Sequence, residues 1–348
     1  MQWRIGILSQ LVDKLDKEIL NEIQWTFPLI PKPFDAMAKK LDMSVPDIKS
    51  RLLNLKKSGI LRQLSAIFDT RRLGYTSSLV AMEISADKLE HVANQISRHP
   101  GVSHNYERDH QFNLWFTLAV PPGSDLETEV NKFSILDGIK KVRMLPTLKL
   151  FKIGVKLEMV EEKKHAVAPS ETKKNIQNVD FIPTEEDKSF IREMQKDLEI
   201  VDRPFLKPSQ RLGISEEDLF EKLRYYEDIG VMRRFAAILR HRQVGFTANG
   251  MIVWNVPENK IPQTGSKLGA FPQVSHCYQR PTYPDWPYSV FSMIHCKTRQ
   301  EADQVAKEIQ RQIGIDDYKI LFSSREFKKT RVEYFVENKF SLEDTIPV

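Results

Sequence analysis

Cysteine is nearly absent: Cys277 and Cys296 are the only two in 348 residues. Two thiols build neither a disulfide framework nor, alone, a structural zinc site, and a reducing cytoplasm is the expected setting. Long apolar runs are missing as well. No stretch approaches the roughly 18 apolar residues of a membrane span. The start, Met1-Gln2-Trp3-Arg4-Ile5-Gly6, carries neither the apolar core nor the small-residue cleavage site of a signal peptide. The familiar enzyme signatures are lacking: no P-loop, no G-x-G-x-x-G, no H-E-x-x-H and no G-x-S-x-G. Charge of one sign is in short supply. A formal net charge of +5 allows an anionic ligand without naming one. With 41% hydrophobic and 28% charged residues the composition is that of an ordinary soluble protein, long enough for roughly two to four domains.

The chain contains a repeat. Gly59-Ile60-Leu61-Arg62 matches Gly230-Val231-Met232-Arg233 at an offset of 171 residues, and Pro33-Phe34 matches Pro204-Phe205, Ala66-Ile67 matches Ala237-Ile238, and Leu73-Gly74-Tyr75 matches Val244-Gly245-Phe246 at the same offset. Further on, His104-x-Tyr106-x-Arg108 meets His276-x-Tyr278-x-Arg280 at 172. A unit of this size is a duplicated domain set, not a solenoid. Between the copies, residues 156–183 are dense in charge and poor in apolar residues, and read as a linker.

Leu15, Ile19, Leu20 and Ile23 recur at helical spacing, a second helix fits Phe34 to Leu41, and Ser44 with Asp47 opens a third that ends at Gly59. Strand-like segments follow at Ile60 to Phe68 and in a return near Tyr75. Three helices and a β-ribbon make a winged helix-turn-helix. The remainder of copy one predicts strand (Ser78–Ile84), helix (Asp87–Arg98), strand (Val102–Arg108), strand (Asn113–Val120), helix (Leu126–Leu136) and strand (Val142–Phe151), the βαββαβ order of a ferredoxin-like fold. Copy two repeats it from Met251–Val256 through a degraded helix near Gln263–Leu268, Val274–Gln279, Tyr288–His295 and Arg299–Ile313 to Tyr318–Phe327. The expected class is therefore α+β, a tandem duplication: winged helix 1–75, ferredoxin-like domain 76–155, linker 156–183, winged helix 184–246, ferredoxin-like domain 247–336.

A helix-turn-helix suggests DNA, but the charges oppose it. The recognition helix from Ser44 to Gly59 sets Asp47 against Lys49, Arg51, Lys56 and Lys57, net +3; its counterpart from Ser215 to Gly230 sets six acids against Lys222 and Arg224, net −4. DNA affinity comes largely from neutralising phosphates, so a symmetric pair reading two half-sites is not expected.

Chemistry gathers in the central strands. Alternation puts His104, Tyr106 and Arg108 on one sheet face, and likewise His276, Tyr278 and Arg280. Each triplet precedes an aromatic-rich segment, His110 to Phe116 with Trp115 in one copy, Tyr283 to Tyr288 with Trp286 in the other. Such faces suit a flat aromatic anion: tyrosine stacks, arginine grips carboxylates, histidine moves protons or ligates a metal. A polar strand facing solvent or a dimer partner has the same composition. His165 falls in the linker, and His91 and His99 flank a helix and read as surface residues. His241 on the second wing and His295 beside Cys296 are secondary candidates. Arg233 and Arg234, near the second wing, could reach an anion or be surface residues.

A winged helix followed by a ferredoxin-like domain resembles the Lrp/AsnC family of feast–famine regulators. The segments Pro100 to Arg108 and Tyr283 to Tyr288, with the paired His-x-Tyr-x-Arg, resemble a narrower branch of it, the siroheme decarboxylases, which are usually two homologous subunits; this chain looks like both fused into an internal pseudo-dimer. The resemblance implies loss of carbon dioxide from two acetate side chains of siroheme, giving 12,18-didecarboxysiroheme for haem or d-type haem, with no external cofactor and no resident metal, because the iron belongs to the substrate. It implies His104, His110 and His276 as proton donors or ligands of that iron, Arg108 and Arg280 as carboxylate grips, and Tyr106, Tyr278, Trp115, Trp286 and Tyr283 as pocket lining. Copy two lacks a counterpart of His110. Siroheme and its product are then the partners, without membrane or DNA. The alternatives are a tetrapyrrole-responsive regulator and an amino-acid sensor.

Overall fold

A computed structural model describes residues 12–153, 179–239 and 248–337. Copy one runs through α1 (Lys14–Ile23), α2 (Pro33–Leu41), α3 (Val45–Lys57), β1 (Leu61–Phe68), β2 (Thr76–Ile84), α4 (Leu89–Arg98), β3 (Val102–Arg108), β4 (Leu114–Val120), α5 (Leu126–Phe133), β5 (Ile139–Pro146) and β6 (Lys149–Ile153). Copy two runs through α6 (Glu185–Met194), α7 (Leu206–Leu212), α8 (Glu216–Asp228), β7 (Met232–Leu239), β8 (Ala248–Trp254), α9 (Ile261–Ala270), β9 (Val274–Gln279), β10 (Val290–Cys296), α10 (Arg299–Ile313) and β11 (Tyr318–Lys329). Among the described residues no helix is long and apolar enough to cross a membrane. The chain divides into two compact units, each drawing on both copies: Met1–Tyr75 with Leu157–Val244, and Thr76–Lys156 with Gly245–Val348.

The first unit joins the two helix-turn-helix copies. Polar caps start its helices: Ser44 accepts from the Asp47 N–H at the head of α3, and Ser215 and Asp218 form a reciprocal capping box on α8. The expected wing ribbon does not form inside copy one. The N–H groups of Arg71 and Arg72 close on the Asp69 carboxylate at 2.9 and 3.0 Å, turning the chain, and Thr76 then begins β2. β1 instead pairs antiparallel with β7 of the other copy, Ala66 opposite Phe235. Under this shared ribbon Phe27, Phe34, Phe205, Phe220 and Phe235 interlock at centroid separations of 5.1 to 6.3 Å, each pair contributing about 0.5–1.5 kcal/mol beyond area burial. The second wing's return with Val244-Gly245-Phe246, His241, His165 and most of the linker lie outside the described residues.

The second unit is a nine-stranded sheet in the order β5-β2-β4-β3-β11-β8-β10-β9-β6. Each copy contributes the 4-1-3-2 strand order of a ferredoxin-like fold, and then lends its chain to the other copy. Beyond β5 the chain continues as β6 along β9, Leu150 opposite Tyr278. The second half of the long β11 lies along β3, Glu326 opposite Tyr106. Both otherwise bare edges are thereby covered. One sheet face packs on helices, with Val80, Met82, Leu114 and Phe116 under α4 and α5 and with Ile252, Trp254 and Val290 under α9 and α10. The opposite face forms a core of its own from both copies, including Ala81, Trp115, Leu145, Val253, Phe291 and Leu321.

Two sequence expectations change. Val142–Phe151 is not one strand: it breaks after Pro146, and its two parts serve different copies. The degraded helix of copy two is a full helix, Ile261–Ala270, because Pro262 sits in its first turn, where no N–H is required. Gly101 lies where β3 begins, with its carbonyl accepting from Ala119 at 2.9 Å. A Cβ there would come within 2.1 Å of the Ala119 carbonyl oxygen. Gly101→Ala should therefore destabilise the β unit by about 1–3 kcal/mol, read by denaturant unfolding.

Candidate active site

Both His-x-Tyr-x-Arg triplets stand on the inner sheet face as columns, as alternation predicts. On β3 the His104 and Tyr106 rings are 6.2 Å apart and the Arg108 guanidinium lies 5.9 Å from the Tyr106 centroid. On β9 the His276 and Tyr278 rings are 6.1 Å apart and the Arg280 guanidinium lies 5.1 Å from the Tyr278 centroid. Cross-strand pairing sets the flanks. Trp115 and Thr117 of β4 stand opposite Tyr106 and His104, and Phe291 and Met293 of β10 stand opposite Tyr278 and His276. A serine hydroxyl holds each imidazole Nδ1: Ser103 on His104 at 3.0 Å and Ser275 on His276 at 2.9 Å.

The arginines are the unusual members. Arg108 is only 7% exposed, and its Nη1 donates to the Leu321 carbonyl at 2.7 Å. Arg280 donates to the Leu145 carbonyl, the equivalent position of the opposite copy. The Nε of each lacks a hydrogen-bond partner among the described residues, as does the Trp286 Nε1. No carboxylate among the described residues pairs with either guanidinium. Burial pulls both down to about 10 from their ordinary value, so at neutral pH each remains a cation. Buried cations left unpaired cost free energy, which a bound carboxylate would return.

Beyond each arginine the strand runs into a loop, and the two loops meet. Trp286, fully buried, packs its ring 5.5 Å from His110, 5.7 Å from Phe112 and 5.2 Å from Trp115. His110 Nδ1 accepts from the Phe112 N–H at 3.0 Å, and its Nε2 faces Lys319 Nζ at 3.5 Å. In the other loop, Asp285 receives the Arg143 guanidinium through two bonds of 2.9 and 2.8 Å. Arg143 also lies 5.1 Å over the Tyr283 ring, whose hydroxyl donates to the Met144 carbonyl at 2.6 Å. A cleft of about 730 Å³ opens beside Arg280 and Tyr283, lined also by Leu148, Pro284 and Pro287.

Ten of the twelve sequence candidates thus share one unit: His104, Tyr106, Arg108, His110, Trp115, His276, Tyr278, Arg280, Tyr283 and Trp286. Arg233 and Arg234 belong to the helix-turn-helix unit. There Asp69 receives Arg233 at 2.7 and 3.0 Å, and Arg234 lies 5.4 Å over the Trp25 ring. His99 is not a surface residue: it is buried, 3.0 Å from the Glu129 carboxylate, beside Phe133. His295 reaches the Ser275 hydroxyl at 2.8 Å, adjoining the His276 column. Sequence reasoning passed over Lys319, Arg143, Phe112, Ser103 and Ser275. The signal for the first two was the repeat itself: after the longer loop of copy two the offset steps from 172 to 176, pairing Arg143 with Lys319, Leu145 with Leu321 and Phe151-Lys152 with Phe327-Lys328.

Family models match the chain twice each. An AsnC-like ligand binding domain fits residues 72–152 and 243–328, and a siroheme decarboxylase NirDL-like HTH domain fits 16–62 and 187–233. A siroheme decarboxylase of Hydrogenobacter thermophilus is 42% identical over 93% of this chain and 96% of its own length. The chain belongs to the siroheme decarboxylase family. Among other members, a crystal structure of the siroheme decarboxylase NirDL in co-complex with an iron-uroporphyrin III analogue superposes at a TM-score of 0.72, with 37% identity over 96% of each chain. A siroheme decarboxylase beta subunit of Methanosarcina barkeri is 44% identical over 42% of this chain and 96% of its own, the relation of a separate subunit to one half of a fused pair.

In this family member three histidines of the β unit, His99, His110 and His276, have their proton affinity lowered, foremost by burial. A base whose folded-state pKa lies below its unfolded value takes up protons more readily when unfolded. Stability is then full above the ordinary imidazole pKa of about 6.5 and declines as pH falls below it. The thermal midpoint should drop between pH 7 and 5.5, and His276→Gln should flatten that slope; an equally steep slope in the variant would remove His276 from the effect.

Proposed function

We propose that this chain removes carbon dioxide from the two acetate side chains of siroheme, acting as a carboxy-lyase, and that its inner sheet face is where the macrocycle binds. The observation that carries the reading is the pair of buried arginines, Arg108 and Arg280, whose guanidiniums meet no acid among the described residues. Siroheme is a flat polycarboxylate. The arginine of a column would take a carboxylate in bidentate fashion, its tyrosine would stack on the ring, and Trp115, Trp286 and Tyr283 would back the pocket. The NirDL co-complex with an iron-uroporphyrin III analogue, a ring of the same chemical type, supports a tetrapyrrole as the ligand.

Each step is R–CH2–CO2⁻ plus one proton giving R–CH3 plus CO2. The electron pair left on the methylene carbon delocalises into the substrate's own macrocycle, so the reading requires neither added cofactor nor oxidant. An acid must then supply the proton, and imidazole suits that role near neutral pH. His110 is the best placed: half-buried, held at Nδ1 by the Phe112 N–H, with Nε2 facing outward to Lys319. His104 stands further down the same column, suited to a second proton transfer or to the substrate iron, and His276 holds the equivalent place in the other column. The product is 12,18-didecarboxysiroheme, an intermediate on the way to haem or d-type haem. Two buried free thiols, Cys277 and Cys296, fit a reducing cytoplasm as the place of work.

The alternative, a tetrapyrrole-responsive regulator, needs a basic recognition surface. Three of the four cations of α3 are already committed: Lys49 to Asp202, Lys56 to Asp197, and Arg51 to Asp13, Asp16 and Asp47. With α8 net acidic, phosphate neutralisation has little to draw on.

Anaerobic incubation with siroheme should yield a product lighter by two carbon dioxide units; no mass loss would reject the reading. His110→Ala should lower kcat by about 10²- to 10⁴-fold with little change in siroheme affinity, and an unchanged rate would remove it from the mechanism. Arg108→Leu should weaken binding by about 10- to 100-fold.

A further inference from the structure

The duplication places two side-chain clusters on the inner face, related by the 176-residue offset of their basic residues; the cleft beside Arg280 and Tyr283 has none of Arg143, Asp285, His276 and Tyr278 in its lining. The first comprises His104, Tyr106, Arg108 and Lys319, the second His276, Tyr278, Arg280 and Arg143. In each, the basic residue comes from the last strand of the opposite copy's ferredoxin-like domain, two positions before the leucine whose carbonyl takes the buried arginine: Lys319 before Leu321, Arg143 before Leu145. In each, the loop that follows the His-x-Tyr-x-Arg strand reaches that basic residue. What the loops deliver is opposite in kind. The first brings an imidazole, His110, to 3.5 Å from Lys319, and no carboxylate among the described residues pairs with that ammonium. The second brings a carboxylate, Asp285, fork to fork with Arg143, and Lys141 Nζ stands 3.4 Å from the same carboxylate.

We propose that the chain has one working pocket, at His110 and Lys319, and that Asp285 closes the quasi-equivalent one by occupying Arg143 where a substrate carboxylate would dock. Lys319 is then a substrate-binding residue: its ammonium receives the acetate beside His110. Asp285 is a built-in stand-in for that acetate. Its anchorage is firm, because Tyr283 lies under the Arg143 guanidinium and Trp286, the next residue, is buried among Phe112, Trp115 and Phe291. The second pocket also differs in what it lacks, since among the described residues no imidazole stands where His110 stands in the first. Both acetates are consequently removed in the same pocket, one after the other.

The proposal rests on the siroheme reading, and its test separates the two. Iron-uroporphyrin III is titrated into the full-length chain and followed by its absorption bands. The wild-type chain should bind one equivalent. Asp285→Ala should bind two, and Asp285→Asn should also gain the second, because an amide carries no charge to hold the guanidinium. Lys319→Met should weaken the single wild-type site by about 10- to 100-fold. The double variant Asp285→Ala, Lys319→Met should retain one tight equivalent, now in the second pocket. A merely structural role for Asp285 would lower the thermal midpoint without raising the stoichiometry. Two equal sites in the wild-type chain, or one site persisting in both Asp285 variants, would overturn the proposal. No binding by the wild-type chain would instead overturn the siroheme reading, and this proposal with it.

Discussion

The whole arrangement depends on one constraint: neither ferredoxin-like half can finish its own sheet. β3 and β9 are edge strands whose outer backbone groups need a partner, and each finds it in chain lent by the other half, β11 for β3 and β6 for β9. Unsatisfied edges are costly and prone to foreign pairing. The exchange resolves both and fuses the inner faces into a common core. Everything of chemical interest sits on or beside these borrowed strands. The carbonyls that hold Arg108 and Arg280 come from Leu321 and Leu145, and the basic residues at the loop ends are Lys319 and Arg143. Each pocket is thus made by both copies, and half a chain would present an incomplete one.

The helix-turn-helix unit obeys the same logic with weaker means. Its β1 strand pairs with β7 instead of folding back into a wing, and a phenylalanine cluster drawn from both copies fills the space below. The cations that would face nucleic acid in a regulator are neutralised inside the unit, several by acids of the other copy. A motif associated with DNA reading here joins the duplicated halves through a shared ribbon and aromatic cluster, and function resides in sites more than in folds.

Much of this was legible in the sequence because it depends on local pattern. Period-two alternation put His104, Tyr106 and Arg108 on one face, and the columns on β3 and β9 follow from it. The caps at Ser44 and Ser215 follow from short-range chemistry. The pairing partners were not legible, because nothing local distinguishes a strand that pairs within its copy from one that pairs across. Hence the return strand near Tyr75 was expected and the Val142–Phe151 segment was read as continuous. Lys319 and Arg143 escaped for the same reason: each serves a pocket whose loop belongs to the other copy, and the longer loop of copy two shifts the repeat offset just before them. His99 looked like a helix-flanking surface residue because its partner Glu129 is distant in sequence.

Fusion into one chain permits an asymmetry that a symmetric dimer of identical subunits is denied. In a homodimer any loop change appears in both pockets at once. Here the first loop carries a histidine facing an ammonium, while the second is longer by several residues and places a carboxylate on a guanidinium. The cost of the change is small, since a bidentate arginine–carboxylate pair at the rim is self-satisfying, and the longer loop supplies Trp286 to pack against the first pocket's own His110. Under the single-pocket proposal the second copy is no longer a duplicate site but the wall of the first. That division of labour would account for two halves that are alike in their columns, where both must complete one another's sheet, and different in the loops, where a single pocket would need an acid.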